Sequence, residues 1–224
     1  MRFLPIWGPQ RPTPFGELSQ EQLDQYIERT WYGNFELTDA VRPAYYPDVP
    51  PSEGYRLRSY KNQETGRKIP MLMASVTRGK LLDLFQNLLD PLGCEVDVIL
   101  ETSHDASERG EDGHEDLYRM GIDLPVLQST FYDFEDLLLN DGHTGVAVIG
   151  PHCSTEIQFD EDKLLSVYAE NLSAFEKIFH SHGVRRNDAA HFINAGQHFH
   201  QSSDHYRGQF QELRVRLGLD GEEW

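Results

Sequence analysis

The stretch HFINAGQHFHQSSDHY, residues 191–206, carries four histidines: His191, His198, His200 and His205. Imidazole is the side chain whose ordinary pKa lies nearest neutrality, so such a stretch suits metal ligation or proton transfer. His198 and His200 stand two apart. On a strand, residues two apart share a face, and both rings can then converge on one ion. His198 and His200 are therefore the candidate metal ligands. Asp204, close in sequence, and the His104–Asp105 pair, at the end of an earlier strand, are the groups that would complete the shell. No H-E-x-x-H or comparable spacing is present, so the pattern names no particular metal. His191, His198 and His205 also recur every seven residues, but Gly196 and the Ser202–Ser203 pair break any continuous helix there.

Other chemistries find less support. Neither Cys94 nor Cys153 lies in a glycine-flanked turn, and G-x-S-x-G is absent. Gly142-His-Thr-Gly145 precedes a strand rather than a helix, so it lacks the setting of a phosphate-cradling loop and reads as a turn. Glu111, Asp112, Glu115 and Asp116 miss the EF-hand spacing and read as a solvated run of charge. His180 and His182 fall in the last turn of a helix, where a cation suits the dipole. No catalytic residue is assigned, and no cofactor is expected.

The chain has 224 residues, 38% hydrophobic and 25% charged, enough to bury a sizeable core. Its formal net charge of −17 repels phosphate backbones and anionic lipid, so neither nucleic acid nor membrane is an expected partner. The two cysteines form no C-x-x-C motif, which fits a reduced, cytoplasmic protein. The start, MRFLPIWGPQRPTPFG, is broken by four prolines and is neither signal peptide nor membrane span.

The elements that position the histidines follow from periodicity. Residues 1–60 read as a proline-rich arm with a short helix opened by a capping box at Ser19–Gln22, packed on the main domain. The arm's Phe3, Leu4, Ile6, Trp7 and Phe15 suit docking on a core or a second subunit. Tyr45 and Tyr46 suit packing on the core from a loop. Residues 61–224 read as one α+β domain. IPMLMASV is a strand, Thr77 an N-cap, and KLLDLFQNLLDPLG a helix with Leu81, Leu84, Phe85, Leu88 and Leu89 on one face, stopped by Pro91 and Gly93. CEVDVIL is a second strand. The acidic stretch from His104 to Gly121 reads as a solvated loop. GVAVIGP, TEIQF and KLLSVYA, joined by short links, predict an antiparallel meander. LSAFEKIFHSHG predicts a helix ended by Gly183, AHFINAG a strand, and Ser202–Asp204 the cap of a last helix.

The expected fold is thus a mixed, largely antiparallel sheet built from two β-α-β-like units flanking a β-hairpin, with helices packed on it. Two functions fit that frame. One is a non-enzymatic interaction or regulatory module, acting through a protein partner or as a homodimer. The alternative is a metal-dependent hydrolase using the His198/His200 pair.

Overall fold

A computed structural model describes residues 19–43, 50–61, 66–104 and 114–219. The arm over residues 1–16, Tyr45, Tyr46, Asp105, Glu111 and Asp112 lie outside the described residues. In chain order the strands are β1 (Trp31–Tyr32), β2 (Phe35–Glu36), β3 (Val41–Pro43), β4 (Gly54–Lys61), β5 (Lys68–Ser75), β6 (Glu95–Thr102), β7 (Glu115–Asp123), β8 (Thr144–Gly150), β9 (Thr155–Phe159), β10 (Leu164–Tyr168) and β11 (His198–His200). The helices are α1 (Gln20–Ile27), α2 (Arg78–Leu89), α3 (Leu124–Asp133), α4 (Glu135–Asn140), α5 (Ser173–Ser181) and α6 (Asp204–Arg216).

The fold is α+β. Seven strands form one sheet in the order β4-β5-β10-β9-β8-β6-β7, with every neighbouring pair antiparallel. Its register explains the core. Leu57, Leu72, Val167, Ile157, Val148 and Val98 make one row across the sheet. Tyr55, Ala74, Leu165, Phe159, Val146 and Leu100 make the next row on the same face. The helices bury their apolar stripes there: Leu84, Phe85 and Leu88 of α2, Phe131 of α3, Leu137 of α4, Phe175 and Phe179 of α5, and Phe210 and Leu213 of α6. The α2 and α5 stripes pack on the same sheet, with Ile178 partly buried at the margin. The β8–β9–β10 meander also forms as expected.

Differences have local causes. β7 runs through the stretch read as an acidic loop. It lies at the sheet edge, and its alternation places Asp116, Tyr118 and Met120 in solvent, so half its residues imitate a loop. β4, with Arg56 and Arg58 alternating against Tyr55 and Leu57, forms the opposite edge. Thr77 sits at the N-cap of α2, but its Oγ1 accepts from the Glu36 N–H (3.0 Å) rather than from the helix. Gly183 does end α5, at φ +75°, with the Val184 N–H closing back onto Phe179 O. Ser203 Oγ caps α6 by accepting from the Tyr206 N–H.

AHFINAG behaves differently from a sheet strand. It supplies a 3-10 turn at Ile193–Ala195, and the strand that follows, β11, pairs with β3 outside the main sheet. Phe192 and Ile193 instead enter a second apolar cluster with Tyr32, Phe35, Leu37, Val41 and Leu164. Arg42 pins β3 from within: its guanidinium donates to the carbonyls of Ile27, Thr38 and Val41. The two histidines therefore ride on a small lobe docked against one end of the main sheet.

Candidate metal centre

In β11, Phe199 turns toward Tyr26 while both flanking imidazoles turn the other way, as the two-residue period requires. What they meet is Asp162, in the tight link between β9 and β10. His198 Nε2 lies 2.8 Å and His200 Nε2 2.9 Å from the same oxygen, Asp162 Oδ1. The three residues offer ligand atoms all within 4.8 Å of one another, and each keeps partial exposure, with side chains 19–26% accessible. Three imidazole and carboxylate ligands with a side open to solvent is a ligand set that suits a divalent transition metal.

The other ring nitrogen of His198 is hydrogen-bonded, and that of His200 faces a more distant carboxylate. A carbonyl oxygen can only accept, so His198 Nδ1–H donates to Gly196 O (3.0 Å), which leaves Nε2 with its lone pair toward Asp162. Glu161 Oε2 stands 3.9 Å from His200 Nδ1, and Glu161 Oε1 accepts from Ser103 Oγ–H (2.7 Å). The Gly196 carbonyl, an outer partner at hydrogen-bond distance, fixes the tautomer of His198, whereas Glu161 stands too far from His200 to do the same. A lone pair and a carboxylate cannot face one another at 2.8 Å without a cation between them. In the metal-free protein that cation is a proton. Burial alone would lower the His198 pKa, but the Asp162 carboxylate outweighs it and the net shift is upward. Burial would likewise raise Asp162, and its bonds to the two histidines hold it below the usual carboxylate range instead.

That pair makes a pH prediction with a definite sign. The raised His198 pKa contributes stability that is complete below pH about 6.5 and is lost as pH rises through the folded value. The lowered Asp162 pKa contributes above pH about 3.9, lost as pH falls through its folded value. With chelator present, the thermal midpoint of wild type should therefore fall from pH 6 to pH 8 more steeply than that of His198→Ala. Parallel curves would show that the pair contributes nothing.

Beneath the cluster lies a second polar layer, at the turn before β8. Asp141 is fully buried, accepts from Thr144 Oγ1–H (2.5 Å), and lies 2.9 Å from His104 Nε2. Burial works to raise the Asp141 pKa, but contacts from His104, Ser202 and Thr144 prevail and lower it. The ring of His143 lies 5.4 Å from that of His104, tilted by 51°, and burial lowers its pKa. Gly142 is required between them: its N–H donates to Gln201 O (2.8 Å), and a Cβ there would fall 2.8 Å from His200 Cβ. On the neighbouring face, burial among Asp116, Glu161 and Glu156 pushes Glu101 up to about 7.

The structure brings together only part of what the spacing offered. His198 and His200 converge; Asp204 begins α6 and His205 rests on Tyr206. His191 anchors a loop through its backbone, donating to Ser52 Oγ and accepting from Ser52 N–H. His104 belongs to the buried layer. Asp162, the carboxylate that completes the set, lies in the short link between TEIQF and KLLSVYA, and no spacing marks it as a ligand. Comparison with family models, with curated proteins and with solved structures returned no match. Among the described residues no helix is long and apolar enough to cross a membrane.

Proposed function

We propose that this protein binds one divalent transition-metal ion through Asp162, His198 and His200 and uses it for hydrolysis. One observation carries this reading: two imidazole Nε2 atoms share one carboxylate oxygen while the His198 proton is held on Nδ1 by Gly196 O. Two imidazoles and one carboxylate are donors that zinc, nickel, cobalt, manganese and ferrous iron all accept.

A bound ion supplies an acidified water at neutral pH. The chain supplies the rest. His143, kept neutral by burial, is a proton acceptor at the edge of the cluster, and the buried Asp141–His104 pair fixes the layer on which it sits. Because ligation needs neutral imidazoles and the His198 pKa is raised, affinity should already weaken as pH falls toward about 6.5. Calorimetric titration of tag-free protein with nickel and zinc tests this reading directly.

A second reading, contact with a protein partner or a second copy, draws on the β7 edge. Tyr118 and Met120 are exposed there, with Val126 and Tyr132 exposed on the adjoining α3. Light scattering at rising concentration decides whether that surface self-associates.

A further inference from the structure

The link between β9 and β10 is Asp160–Lys163, closed by the Lys163 N–H donating to Asp160 O (3.0 Å) and the Asp160 N–H to Leu164 O (3.1 Å). Asp160 Oδ1 also accepts from the Leu164 N–H (2.8 Å). The last residue of the link must adopt a left-handed backbone, and Lys163 does so at φ +60°. Glycine or asparagine normally fills such a position, because a Cβ crowds the neighbouring carbonyl there. A lysine gives up stability that glycine would keep. Its side chain is the compensation.

That side chain does not reach solvent. Lys163 is 5% exposed, its Nζ donates to Thr144 O (2.8 Å), and the ammonium lies 5.3 Å from the centre of the Phe159 ring. Thr144 is itself tied to the fully buried Asp141 through Oγ1. The lysine is thus a strut from the turn to the floor of β8, one residue beyond the carboxylate that meets both histidines. We propose that Lys163 is a positioning residue for this centre: the Nζ–Thr144 O bond, made from a left-handed backbone, holds Asp162 facing His198 and His200. The metal part of this inference rests on the proposed function; the placement of Asp162 does not.

Lys163→Gly and Lys163→Met test it together. Glycine favours the turn's backbone and removes the strut, so a purely structural lysine would be replaced without loss of metal affinity. Two readouts are taken: nickel affinity by calorimetry, and the imidazole N–H signals of His198 and His200 in metal-free protein, which report their contact with Asp162. We expect folded Lys163→Gly to bind nickel about 10- to 100-fold more weakly, as loss of an outer-shell partner does elsewhere, with both imidazole signals displaced. Displaced signals in a protein whose wild type binds no nickel would uphold the role of Lys163 and remove the metal reading. Wild-type signals in either folded variant, with nickel affinity unchanged, would overturn the proposal.

Discussion

Phe85→Ala should destabilise the protein by about 3–5 kcal/mol, the usual cost of emptying a fully buried phenylalanine site. Phe85 is wholly inaccessible, and its ring meets Phe131 at 5.7 Å and Phe159 at 5.3 Å. It therefore joins α2, α3 and the sheet, and no single neighbour can move into the space it leaves. At this chain length each kcal/mol corresponds to about 2–4 °C in thermal midpoint. Val126→Ala, at an exposed position on α3, should stay within about 0.5 kcal/mol. Denaturant melts of both variants check the contrast. A cost below about 1 kcal/mol for Phe85→Ala would mean that α2 does not pack as described.

Asp141→Ala should cost a similar amount for an electrostatic reason. Asp141 has no exposed surface and is answered by His104 and the Thr144 hydroxyl, with the Lys163 ammonium bonded to Thr144 O. Removing one partner of a buried charged group leaves the others uncompensated, at about 3–5 kcal/mol. Asp141→Asn, which keeps shape and an acceptor oxygen, should recover part of that loss. Burial already pushes Lys163 down to about 8 against the pull of Asp141, Glu161, Asp160 and Asp162. Without Asp141 its proton is held less firmly, so the alanine variant should lose further stability where Lys163 must stay charged. Equal stability of Asp141→Ala and wild type would show the layer to be dispensable.

The parts of the fold that could be read from sequence are those whose two faces differ strongly. The α2 stripe and the β8–β9–β10 meander are such elements: one face meets apolar neighbours, and the links are short. β7 was hidden because an edge strand with Asp116, Tyr118 and Met120 outward has the composition of a loop. β4 was hidden by the proline-rich sequence before it, although Tyr55 and Leu57 alternate with Arg56 and Arg58. At the site, the two-residue period was enough to place His198 and His200 on one face. It could not supply Asp162, because which turn meets β11 depends on how the small lobe docks. That docking is set by Gly142, which admits the backbone of Gln201, and by the Arg42 guanidinium inside β3. Neither residue has a periodicity to betray its role. Lys163 carried one usable signal: a long basic side chain at the end of a tight acidic turn.

The proposed metal centre is tested most directly by titrating chelator-treated, tag-free protein with nickel at pH 7.5. Asp162→Ala, His198→Ala and His200→Ala are titrated alongside, with thermal melts in parallel. The account predicts one ion per chain for wild type. At a hundredfold excess of free ion over the dissociation constant, stability should rise by about 2.7 kcal/mol. Each variant should lose both the binding and the rise while keeping a cooperative melt in chelator. Absence of nickel and zinc binding in wild type, or binding that all three substitutions leave unchanged, would contradict it.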